Sequence, residues 1–167
     1  MLESEFQIGN SGWGLGMRIL EVLLAGFGAI GAGWASWNWW TYLHSATYAA
    51  ALRGDSVWPL PAGYLLEITV LGVGGLVSVS ANRTSSPPLW GNVTWAIAGV
   101  FLSLAVLGAW SIGPSVVPAF LALVAAAILA GVRRRQKVST QVSWFAGGVM
   151  GQAVIMLLPI LLLNRVH

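Results

Sequence analysis

Trp58-Pro59-Leu60-Pro61-Ala62-Gly63-Tyr64-Leu65-Leu66-Glu67 decides how the chain is read. Two prolines separated by one residue cannot sit inside a regular helix, so the backbone turns here. Trp58 and Tyr64 flank the turn, and such rings favour a membrane–water boundary. A long apolar run follows, from about Ala62 to Ala81. Glu67 stands inside that run, where hydrocarbon is expected to begin. A carboxylate in that position marks a candidate functional site.

Composition supports a membrane setting for the whole chain. Of its 167 residues, 57% are hydrophobic and 8% charged. Soluble domains carry roughly 25% charged residues. A single transmembrane domain is therefore expected over residues 17–167, with residues 1–16 as a mobile, polar, glycine-rich tail on the cytoplasmic side. The chain has no cysteine, which removes disulfides, thiolate metal sites and cysteine nucleophiles.

Outward from the turn, the apolar segments predict an all-α, polytopic transmembrane bundle of five spans, at about 17–43, 62–81, 93–110, 115–132 and 142–163. A four-span alternative makes residues 93–132 partly re-entrant. Residues 44–57 read as a continuation of the first helix or a short surface piece. Trp34, Trp37, Trp39 and Trp40 form an aromatic belt at the end of the first span. Small residues at four-place spacing, Gly28 with Ala32 and Gly147 with Gly151, predict close helix–helix packing.

Charge sets the expected topology. Arg133, Arg134, Arg135 and Lys137 cluster after the fourth span and determine the cytoplasmic side. Five spans then place Arg18 and Arg83 with them, and Arg53 and Arg165 outside. The amino terminus is cytoplasmic and the carboxyl terminus external in this reading. The cluster is a topology signal, and no nucleic-acid partner is expected.

Arg18 and Glu21 are three places apart and are expected to form an ion pair at the membrane interface. Glu67 falls in the opposite half of the membrane, so the two carboxylates do not make an acid–base dyad. Its candidate partners are Asn38, His44 and Arg53, as a proton or cation site or a structural polar cluster. His44 and Glu67 supply too few ligands for a metal site. No phosphate loop, nucleophile elbow or zinc motif is present, and no catalytic residue is assigned.

Two stretches, Trp58 to Glu67 and Leu107-Gly108-Ala109-Trp110-Ser111-Ile112-Gly113-Pro114, resemble segments of small multi-pass membrane proteins of bacteria. The resemblance implies a bacterial inner-membrane location and carries no activity to transfer.

The expected function is a non-catalytic accessory or scaffolding subunit of a larger membrane complex. Its partners are the lipid bilayer and other subunits or further copies of itself. No cofactor is expected beyond lipid held between helices. A small transporter or channel using Glu67 is the second reading. A membrane enzyme is the third, and a pigment-associated subunit using His44 among the tryptophans is a further alternative.

Overall fold

A computed structural model describes residues 3–45, 60–82, 89–109 and 112–163, with side chains placed over 14–45, 63–82, 89–109 and 112–157. These residues form five helices and no strand: α1 (Glu3–Leu43), α2 (Leu60–Ala81), α3 (Leu89–Leu107), α4 (Gly113–Arg134) and α5 (Val138–Leu163). Arg53, Arg83, Arg165, Trp58 and Pro59 lie outside the described residues.

Four helices carry segments long and apolar enough to cross a membrane: Gly14–Leu43, Gly63–Ala81, Leu89–Leu107 and Gly113–Arg134. The fifth, α5, has 26 residues, or about 39 Å at 1.5 Å per residue. The chain is a multi-pass helical membrane protein. Both α3 and α4 are unbroken over 19 and 22 residues, which replaces the re-entrant alternative for 93–132 with two full helices.

The amino-terminal reading needs correction. Helix α1 runs over 41 residues from Glu3, so residues 3–16 are helical where a polar tail is expected, while its membrane-crossing segment, Gly14–Leu43, agrees with the expected 17–43. Residues 3–16 contain no proline to interrupt the helix. Four glycines in this part weaken the helix without breaking it, at about 1 kcal/mol each relative to alanine.

Pro61 and Pro114 fall where helices tolerate them, whereas Pro118 stands inside α4. Pro61 is the second residue of α2, and Pro114 the second of α4, where an amide donor has no intrahelical acceptor to lose. The turn into α4 is closed by the Gly113 amide donating to the Gly108 carbonyl at 2.7 Å. At its other end α4 stops at Arg135, which has a left-handed φ of 50°. The Arg135 amide donates to the Val132 carbonyl at 3.2 Å and the Gln136 amide to Gly131 at 3.1 Å. This pair of bonds is a Schellman cap.

Helices α1 and α3 each pack on both α2 and α4, so the first four helices close into a ring. Helix α5 lies outside the ring and packs mainly on α3. The core holds Ile68, Phe101, Leu104, Val116 and Leu123, interleaved with Ala25, Ala32, Ala35, Ala119 and Ala126. The small side chains let the ring helices approach closely. Gly28 sits against Leu123 and Ala119 of α4, and Ala32 against Gly72 of α2, as their spacing predicts.

The expectation for Gly147 and Gly151 is different in outcome. Neither has any atom of another element within 4 Å of where its β-carbon would be. Gly148 takes the packing role instead: a β-carbon there would run into the Ala96 carbonyl, as one on Gly99 would run into that of Phe145. The α3–α5 crossing thus uses Gly99 and Gly148, and the Gly147–Gly151 ridge faces outward.

Candidate functional site

The polar residues of the bundle gather at two ends. At one end, Glu21 of α1 is fully buried. Arg133, at the end of α4, grips it with both arms of the guanidinium: Nε donates to Oε1 at 2.7 Å and Nη2 to Oε2 at 2.8 Å. Nη2 also donates to the Asn82 backbone carbonyl at 3.1 Å, just past the end of α2. One arginine side chain therefore joins three helices. The Arg133 side chain is 10% exposed.

This corrects the expected Arg18–Glu21 pair. A same-helix pair at this spacing contributes only about 0.2–0.5 kcal/mol. A bidentate guanidinium–carboxylate pair satisfies both oxygens in one planar fork. Glu21 turns into the ring, on the stripe of Ala25 and Ala32, where Arg133 is available. Arg133 is accordingly more than a topology charge. Asn82 is 1% exposed, and among the described residues neither atom of its side-chain amide has a hydrogen-bond partner. Close by in sequence, the Ser78 and Thr94 hydroxyls meet at 2.8 Å and tie α2 to α3.

The other end carries Glu67, roughly 22 Å from Asn82 along α2 by the helical rise. Glu67 is half-buried, and its side-chain neighbour is Gln152 of α5. The approach is close enough for the carboxyl to feel the amide, but Gln152 Nε2 makes no hydrogen bond of adequate distance and angle. Gln152 is 2% exposed.

The residues proposed from sequence around Glu67 do not converge. Asn38 is exposed and lines a shallow cleft with Trp39, Thr41, Tyr42 and Ser115, on the α1–α4 seam. Trp39 Nε1 donates to the Ser115 hydroxyl there at 3.3 Å. His44 is exposed past the end of α1. Its Nδ1 lies 2.9 Å from the Trp40 carbonyl, and its ring stands 4.1 Å from the Trp40 ring between centroids. A carbonyl only accepts, so Nδ1 carries the proton. Arg53 lies outside the described residues. The separation has a simple cause: Asn38 and His44 belong to α1, whose buried side faces α2 and α4, whereas Glu67 looks along α2 toward α5. Among the described residues no group of three His, Cys, Asp or Glu side chains could hold a metal ion.

An open groove of about 480 Å³ runs between α3 and α5, with Ala96 and Val100 on one side and Ser143, Trp144, Gly147, Gly151 and Gln152 on the other. A second groove, between α1 and α2, is lined by Ser36, Trp37, Trp40, Leu65 and Thr69. The Ser36 hydroxyl there donates to the Leu65 carbonyl at 2.9 Å.

Sequence reasoning saw Glu21 and Arg133 separately and did not connect them. A depth comparison was the available signal: five alternating spans put the start of α1 and the end of α4 on one face. Compared with protein-family models, curated proteins and solved structures, the chain matches none of them.

Proposed function

We propose that the chain is a non-catalytic integral membrane subunit that scaffolds or accompanies other membrane helices in a larger assembly. The observation that carries this reading is the use of the buried polar groups. Glu21, Arg133, Ser78, Thr94 and Ser36 all bind helix to helix inside the ring. Intramembrane charges that serve transport line pathways or water-filled cavities. Here the described grooves open on the outside of the ring, and helix α5 leaves most of its surface free for a neighbour.

The Arg133–Lys137 end is placed in the cytoplasm by the positive-inside rule, in a bacterial inner membrane as the resemblance implies. The test is extraction of the tagged chain from native membranes in mild detergent. Stoichiometric partner chains, identified by mass spectrometry, are the expected result. A fraction holding this chain alone, with proton or cation flux in vesicles that Glu67→Gln abolishes, overturns the reading in favour of transport.

A further inference from the structure

We propose that the end of the bundle carrying Arg18, Arg135 and Lys137 binds the headgroup of an anionic phospholipid. The inference is independent of the subunit reading, because a lone chain and a subunit meet the same bilayer.

Charge at this end does not balance. The chain has five acidic residues. Both oxygens of Glu21 are taken by Arg133. Glu5 stands about 20 Å before Arg18 along α1 by the helical rise, and Glu3 stands further off. Glu67 belongs to the opposite end, and Asp55 lies outside the described residues. Helix α5 begins directly after Lys137 with no acidic residue in its first turn. Among the described residues, Arg18, Arg135 and Lys137 are left without a carboxylate.

The burial of Glu21 is what strands Arg18. Its nearest carboxylate in sequence has turned into the ring and is held there by Arg133. Arg18 lies two helical turns before the fully buried Ala25, on the same ring-facing stripe. It is half-buried at the mouth of the ring, about 4.5 Å nearer that end than Glu21 by the helical rise. Arg133 brings the end of α4 to the same level, so the exposed Arg135 and Lys137 in the turn that follows come to this mouth as well. Guanidinium and ammonium groups make charge-assisted hydrogen bonds to phosphate oxygens.

The surroundings of the cations select a lipid over a free phosphate. Leu15 and Ile19 are exposed beside Arg18, Val132 before Arg135, and Val138 after Lys137. A soluble anion leaves that apolar surface bare, whereas a phospholipid covers it with acyl chain and meets the cations with its phosphate. Arg135 adds a separate sign. It holds a left-handed backbone that glycine adopts freely. An arginine kept there against its own backbone preference points to a use for its charge.

The test is native mass spectrometry of the purified chain in mild detergent, with phosphatidylglycerol and phosphatidylcholine at equal concentration. Phosphatidylglycerol is expected to be retained over phosphatidylcholine by about tenfold or more at low ionic strength. Arg18→Gln, Arg135→Gly and Lys137→Gln should each weaken its retention by up to about fivefold, the scale of one basic side chain near an anionic surface. The triple variant should bring it to the phosphatidylcholine level. Arg135→Gly relieves a strained backbone, so lipid lost from that variant with a raised unfolding midpoint does not come from misfolding. The lipids are offered in detergent, so orientation in the membrane does not enter the comparison. Equal retention of the two lipids, or a preference that survives the triple variant, overturns the proposal. So does displacement of phosphatidylglycerol by inorganic phosphate, which would mark a site for a free anion.

Discussion

Glu21 and Glu67 are both carboxylates within membrane-spanning helices, and the two ends of the bundle treat them in opposite ways. Glu21 is sealed in, with both oxygens taken by one guanidinium that also reaches a third helix. Glu67 is half-exposed beside an amide that does not complete a hydrogen bond to it. The first arrangement locks three ring helices together. The second sits where α5, a helix outside the ring, meets α2 across α3. A carboxylate in a helix is therefore not by itself a site. What distinguishes the two is whether the ring closes over them.

The sharpest way to break the contrast is to remove Arg133. Arg133→Leu leaves Glu21 buried without its cation, and a loss of about 3–5 kcal/mol is expected in reversible unfolding. The double variant Glu21→Met with Arg133→Leu should recover most of it, because removing both charges also removes their desolvation cost. If the double variant is as unstable as the single, the pair contributes more than mutual neutralisation.

A smaller effect is expected at the seam that holds α5 against the ring. Gly148→Val drives a side chain into the Ala96 backbone carbonyl and should cost about 1–3 kcal/mol. Gly147→Val, one residue away, should leave monomer stability within about 0.5 kcal/mol. Thermal unfolding of both variants in the same detergent tests the offset.

The closed end can be improved as well as broken. Arg135 holds a left-handed backbone that costs an L-residue about 1–2 kcal/mol. Arg135→Gly is expected to raise stability by about 1 kcal/mol, read as a shifted unfolding midpoint, while the Glu21–Arg133 bonds are unaffected. The smallest effect belongs to Glu67→Gln. It keeps the shape and removes the charge, and a change within about 0.5 kcal/mol is expected in the same unfolding measurement. A loss as large as that at Arg133 would show that the open end is also a structural lock.

The spans show where sequence reading works. Apolar runs, tight prolines and the basic cluster mark four of the five helices to within a few residues at their starts, as with Leu60–Ala81 against an expected 62–81. These features are local, and the bilayer imposes them on each segment separately: backbone groups in hydrocarbon must bond within their own helix. Helix α1 is the exception, because its first turns carry no apolar signal to mark a start.

The site was legible only in parts. Glu21 stood out as a charge in a span and Arg133 as a member of a basic run, but their pairing is a property of the ring. A helix turns by roughly 100° per residue, so a shift of one position changes which neighbour a side chain meets. That rotation decides that Gly148 packs while Gly147 is bare, and that Glu67 meets Gln152 and not Asn38. The sequence alone determined that this protein is a bundle of membrane helices with its charges gathered toward one end. Tertiary structure decided which helices are neighbours and how each is rotated, and hence which carboxylate is sealed and which is left beside an open groove.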